Sequence, residues 1–146
     1  MLPDDAARIG NWEWRLSHLY QIRTKLSEKT VFKPNSVQLQ VMKYWHKFLI
    51  LKARQMGISM LFLLWHLDAT LFTPNTSTAI IAHRRDSLKY LFRIIRLACR
   101  SCHDAIQLPD GRIWRKPVAS FDNADELYFP PARAKPKLRH SANPLP

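Results

Sequence analysis

Residues 48–60, FLILKARQMGISM, decide how this chain is read. The stretch 48–53 is a short apolar run closing on Lys52, too short for a helix and suited in length and content to a strand buried in a parallel sheet. Gly57 breaks it. From Ser59 to Phe72 the apolar residues recur with helical period, until Thr73-Pro74-Asn75 stops them. The sequence therefore predicts a strand, a basic loop and a helix in direct succession.

Working outward, segment 12–26 (WEWRLSHLYQIRTKL) places Trp12, Leu16, Leu19, Tyr20 and Leu26 mostly on one helical face, with Arg15 and Arg23 among its polar residues. Pro34 disfavours helix before it, and Asn35 is a good N-cap for a helix over 36–46, with Val37, Val41, Met42 and Trp45 as its apolar face. Downstream, TAIIAH (78–83) is a second buried-strand candidate. Asp86 or Ser87 then caps a helix on which Leu88, Leu91, Phe92, Ile95, Ala98, Cys99 and Cys102 form one stripe, with Lys89, Arg93, Arg96 and Arg100 largely opposite. Leu108-Pro109-Asp110-Gly111-Arg112 reads as a tight turn between short strands at 105–108 and 112–115, and 126–129 (ELYF) as a further strand. Strand, loop, helix, strand, helix is the opening of an α/β domain with a parallel sheet.

Composition bounds the partners. The chain has 146 residues, 47% of them apolar, with 5 Trp and 7 Phe, which excludes disorder as its overall state. No apolar run reaches the roughly 18 residues of a membrane span. The start, MLPDDAARIG, does not read as a secretory signal, and 2 cysteines point to a reducing, cytoplasmic setting. Lys and Arg number 23 against 11 acids, a net charge of +12. The excess is blocky: Lys33, Lys43, Lys47, Lys52 and Arg54; then Arg84, Arg85, Lys89, Arg93, Arg96 and Arg100 against Asp86; then Arg133, Lys135, Lys137 and Arg139. Such blocks attract phosphates through a salt-sensitive field with little sequence information.

The loop 52–59 is a variant of the phosphate-binding pattern G-x-x-x-x-G-K-[ST]. Gly57 holds the second glycine's place and Ser59 that of the hydroxyl that ligates Mg²⁺. Ile58 replaces the lysine, Lys52 replaces the first glycine, and Arg54 lies inside the loop, so the cations sit at its entrance. The loop ends on a helix N-terminus, which favours an anion.

At these residues the sequence resembles the large subunit of bacteriophage terminases, the DNA-packaging motor ATPases, whose variant loops read much like K-x-R-Q-x-G-x-[ST]. FKPNSVQLQ resembles the family's adenine-reading segment, with Gln38 as its glutamine; an amide side chain can pair bidentately with adenine. FTPNTSTAIIAHRRDSLKYLFRII resembles the next strand and helix, and SFDNADELYFP a later stretch. The resemblance covers roughly residues 12–130 and implies a partial P-loop NTPase fold, an incomplete parallel sheet with flanking helices, in a partial ATPase domain over 1–130, with a helical lead-in (12–46), a P-loop unit (48–72) and a second strand–helix unit (78–102). It implies ATP and Mg²⁺ as cofactors, held by Gln38, Lys52, Arg54, Gln55, Gly57, Ile58 and Ser59, with Ser59 on the metal. It also implies double-stranded DNA, the small terminase subunit and the portal of a procapsid as partners, in a bacterial host's cytoplasm. Arg84, Arg85, Lys89, Arg93, Arg96 and Arg100 are the expected DNA-binding residues.

The sequence also departs from that pattern. After Pro130 a Pro- and Arg-rich tail begins, expected to be disordered over 131–146, and the switch resembles a frame-shifted or truncated reading frame. The Walker B strand is missing: Asp125-Glu126 is preceded by Phe121-Asp122-Asn123-Ala124, which is no buried strand. The nuclease domain is missing too, so no catalytic residue is assigned and steady ATP turnover is not expected. Cys99-Arg100-Ser101-Cys102-His103 fits the haem-attachment pattern C-x-x-C-H, but the cysteines extend an apolar helix face and no second pair completes a zinc site; neither haem nor zinc is expected. Two other readings remain: a small basic nucleic-acid-binding protein without a nucleotide site, and a helicase-like ATPase fragment, which shares Gln38 and the loop.

Overall fold

The first helix, α1 (Trp12–His18), is started by Asn11, whose side chain accepts hydrogen bonds from the Glu13 and Trp14 amides. It is seen in a computed structural model that describes residues 8–24, 28–44, 56–108, 111–119, 121–122 and 127–129. The helix expected over 12–26 ends at His18. Gln21–Arg23 (β1) instead pairs antiparallel with Lys29–Val31 (β2), with Ile22 opposite Thr30 and Arg23 opposite Lys29. Ile22, Thr24, Thr30 and Val31 are β-branched and prefer extended backbone. Leaving the helix also carries Tyr20 into the interior, where it is fully buried.

Helix α2 (Ser36–Lys43) starts at Asn35 as expected and closes at Lys43 with Tyr44 as its C-cap, three residues short of the predicted end. Helix α3 (Ile58–Phe72) is apolar nearly all round, and its burial explains why: Leu61, Leu63, Leu64, Leu67 and Leu71 all lie in the core. It packs against α1 on one side and against α4 (Arg85–Ser101) on another, while α4 also covers β1. Helix α4 begins two residues before Ser87, after an Arg84 N-cap that makes no side-chain bond, so Asp86 falls in its first turn, where a negative charge suits the helix dipole. Among the described residues no helix is long and apolar enough to cross a membrane.

The expected strand at 78–83 does not form. The segment carries no ladder bonds, and Ile81 is 95% exposed. An apolar run becomes a strand only where a neighbour takes its backbone hydrogen bonds, and none does so among the described residues. The other strand candidate, 48–53, lies outside those residues, as do the tail 131–146 and Asp125-Glu126. The sheets that are seen are three two-stranded antiparallel pairs, so the chain is mixed α/β without a parallel ladder among the described residues. Ala105–Gln107 (β3) pairs with Ile113–Arg115 (β4) across the predicted turn, with Gly111 in the left-handed conformation at φ 80°. Phe121–Asp122 (β5), not expected as a strand, pairs with Leu127–Tyr128 (β6) inside the 126–129 candidate.

The β3–β4 hairpin is fixed to the helices at two points. Trp114 stacks on Phe72 with ring centroids 4.3 Å apart. Lys116 donates to the Cys102 carbonyl at 2.9 Å and pairs with Asp104 at 2.7 Å, so it satisfies a carbonyl at the end of α4. The Lys116 ammonium holds the exposed Asp104 carboxyl below its usual pKa.

Candidate functional site

Two junctions bear on function. The first joins α2 to α3. Asn35 and Gln38 form a reciprocal capping box: the Asn35 side-chain oxygen Oδ1 accepts from the Gln38 backbone N–H at 2.9 Å, and the Gln38 side-chain oxygen Oε1 accepts from the Asn35 backbone N–H at 2.9 Å. Their oxygens thus face inward along α2. Their nitrogens reach out to the chain entering α3, Asn35 Nδ2 donating to the Met56 carbonyl at 3.2 Å and Gln38 Nε2 to the Gly57 carbonyl at 2.7 Å. Gln38 is only 4% exposed.

Gly57 is the N-cap of α3, at φ 72°, in the region where side chains are strained. A Cβ there would lie 2.7 Å from Gln38 Nε2, so the position excludes a side chain for two separate reasons. As a glycine it has no side chain with which to cap the helix. Ile58 is buried as the first helical residue and Ser59 is exposed as the second. Of the loop residues named from sequence, the structure therefore brings Gln38, Gly57, Ile58 and Ser59 to one place, while Lys52, Arg54 and Gln55 lie outside the described residues. Gln38 spends one acceptor and one donor position on the protein, which makes it a positioning residue for the end of the loop.

The second junction was not anticipated. Asp68 on α3 is 1% exposed and accepts four hydrogen bonds: from Arg15 Nε at 2.9 and 3.1 Å, from Arg15 Nη2 at 2.6 Å, and from the Tyr20 hydroxyl at 2.8 Å. Arg15 also donates to the Ile9 carbonyl at 2.7 Å and lies 4.4 Å from the centre of the Phe72 ring. Burial first, and then the Asp68 charge, push the Tyr20 hydroxyl far above its usual pKa. The sequence clue was an acid inside an otherwise apolar helix, which requires a buried cationic partner.

The cysteines of the C-x-x-C-H stretch are both buried and are not joined in a disulfide. Burial pushes the Cys102 thiol up to about 12, so it behaves as a small apolar side chain rather than a nucleophile. Among the described residues no group of three or more His, Cys, Asp or Glu side chains gathers to hold a metal.

The DNA-binding candidates separate along α4. Arg84 and Arg85 sit at its start. Arg93, Arg96 and Arg100 line a groove of about 950 Å³ between α4 and the β1–β2 hairpin, and the hairpin adds Arg23 and Lys29 to the same groove. Lys89 lines a smaller neighbouring hollow of about 420 Å³ with Asp86, Arg93 and Arg96. Sequence reasoning missed the hairpin cations because it placed Arg23 on a helix; the β-branched residues Ile22, Thr24, Thr30 and Val31 were the signal for extended chain. Compared with protein-family models, with characterised proteins and with solved structures, the chain matches none.

Proposed function

We propose that the chain is the ATP-binding N-terminal part of a phage or prophage terminase large subunit, a DNA-packaging motor. One observation carries the reading. Gln38 and Gly57 resemble two different motifs of that family, and they meet through a 2.7 Å hydrogen bond. Chance matches to two short motifs carry no requirement that the matched residues touch. The first turn of α3 suits the group expected there: its N-cap, Gly57, has no side chain to bond the turn's amides, and Ser59 beside it is exposed. A nucleotide-borne Mg²⁺ needs few protein ligands, because phosphates and waters supply most of its shell.

In this reading Lys52 and Arg54 neutralise phosphates, Ser59 ligates the metal, Gln38 faces adenine, and bound ATP supplies the energy of DNA translocation. Gln38, buried and bonded through its amide oxygen to Asn35 and through its amide nitrogen to Gly57, would have to turn outward to meet the base. The fold class would be a partial P-loop NTPase, with the parallel strand at 48–53. The partners would be double-stranded DNA, the small subunit and the procapsid portal, inside the bacterial host.

Binding without turnover is the expected outcome. The one buried acid on α3, Asp68, is committed to Arg15 and Tyr20 and is not available to hold a metal's water shell. Titration of the full chain with a fluorescent ATP analogue and Mg²⁺ should show saturable binding, weakened about tenfold or more by Ser59→Ala, with no hydrolysis above that variant's background. Equal binding by both proteins, or turnover well above the variant, would sink the proposal. Reading the coding DNA past codon 130 in all three frames separates a terminase, with its nuclease acids, from a helicase-like ATPase.

A basic nucleic-acid-binding protein without a nucleotide site is the second reading. The concentration of arginines along one side of α4 favours it. Such a protein would give no saturable signal with the ATP analogue.

A further inference from the structure

The groove between the β1–β2 hairpin and α4 combines two surfaces. Its rim carries Arg23 and Lys29 from the hairpin and Arg93 and Arg100 from α4, with the half-buried Arg96 beside them, and among the described residues no acid lines it. Its floor is apolar, formed by Met60 of α3 with Ile94 and Leu97 of α4. The two walls are joined by a fixed contact, the Gln21 amide donating to the Ser101 hydroxyl at 2.8 Å. Arg93, Arg96 and Arg100 are spaced along one side of α4, over a rise of roughly 10 Å. Gathering like charges opposes folding, and the fold places them across from one another on two separate elements.

A purely inorganic polyanion would have no use for an apolar floor, and a duplex presents its charged backbones outward while keeping its bases stacked inside. A single strand offers both chemistries: a run of phosphates for the rim, and sugars and base faces for the floor. Tyr90, 55% exposed at the same groove with Arg93 5.8 Å from its ring centre, offers a stacking surface of the kind single-strand sites use. We infer that this groove seats one strand of nucleic acid, with phosphates on the two cationic walls and unpaired bases against Tyr90 and the apolar floor. The inference does not rest on the nucleotide loop: of the loop residues named from sequence, the described ones, Gly57, Ile58 and Ser59, do not line the groove.

The hairpin tests it, since a simple basic face on α4 would not need Arg23 or Lys29. The probe is a fluorescein-labelled 15-mer of deoxythymidine, followed by anisotropy on the full chain at about 0.1 M salt, where a Debye length of about 10 Å limits distant charges. Arg23→Gln with Lys29→Gln should weaken binding about tenfold and flatten the salt slope by roughly 1.4, as expected for two lost phosphate contacts on a single strand. Lys33→Gln with Lys43→Gln removes the same charge from exposed positions outside the groove and should weaken binding less than about threefold. Arg93→Gln provides a second loss on the opposite wall, and thermal melting of each variant confirms that it folds. Equal losses from the two charge-matched pairs would overturn the inference. So would tighter binding of a duplex of the same length, or displacement of the oligonucleotide by tripolyphosphate or polyglutamate at equal charge.

Discussion

Helix α3 is tied at its two ends by polar links of opposite character. Near its C-terminus Asp68 is a carboxyl group buried in the core, with Arg15 and Tyr20 as its partners. At its N-terminus a neutral amide, Gln38, bonds to the carbonyl of a glycine whose backbone other residues rarely adopt. Each link joins α3 to a segment distant in sequence, but removing one partner has different consequences. A buried charge left alone is costly because neither water nor another group can stabilise it. A lost neutral amide bond costs less. The buried link is therefore suited to holding the fold, and the lighter one to an edge that has to accommodate a ligand.

The largest expected effect is at the buried end. Asp68→Ala leaves the Arg15 guanidinium and the Tyr20 hydroxyl without their acceptor and should destabilise the chain by about 3–5 kcal/mol. Denaturant melts followed by circular dichroism measure it. A cost below about 1 kcal/mol would remove the distinction between the two ends.

Gly57→Ala comes next. It combines a left-handed backbone with a Cβ 2.7 Å from Gln38 Nε2, so a loss of about 2 kcal/mol is expected. Adding Gln38→Ala removes the obstructing amide, and the double variant should be more stable than the sum of the two single losses implies, by about 1 kcal/mol. Strict additivity would show that the glycine is needed for its backbone alone.

Tyr20→Phe should cost the least at neutral pH, about 1.5 kcal/mol for a hydrogen bond to a charged acceptor, and it separates the two ends by pH. The Tyr20 hydroxyl has its pKa raised on folding, so the folded chain retains a proton that the unfolded chain releases above about pH 10. Stability from this group is complete below that pH and declines as pH rises beyond it. The phenylalanine variant should lose that alkaline slope, whereas Gly57→Ala should keep it. Chemical denaturation between pH 8 and 11 provides the comparison.

Much of the local structure was legible in the residues. Asn35 and Gln38 sit at the spacing of a capping box, and the box forms. The stripe from Leu88 to Cys102 predicts α4, which begins three residues earlier, at Arg85, and has Cys102 as its C-cap, and Gly111 marks the β3–β4 turn. The readings that failed share one cause. Segment 12–26 has a helical apolar pattern, but Tyr20 can reach Asp68 only once the chain leaves the helix, and the β-branched pairs then close a hairpin. The apolar run 78–83 met no strand to pair with among the described residues.

What the sequence determined by itself was therefore what neighbours along the chain settle between them: caps, a turn, the amphipathic period of α4, and a net charge of +12. Helix dipoles, backbone conformations and side-chain periodicity act over a turn or two, so a window of residues contains their causes. The tertiary structure alone decided that Gln38 reaches Gly57, that Asp68 finds Arg15 and Tyr20, and that Arg23 and Lys29 complete a groove begun on α4. Those partners are remote in sequence, and they were chosen because a buried charge or amide must be satisfied by whatever group the packing of the whole chain brings within reach.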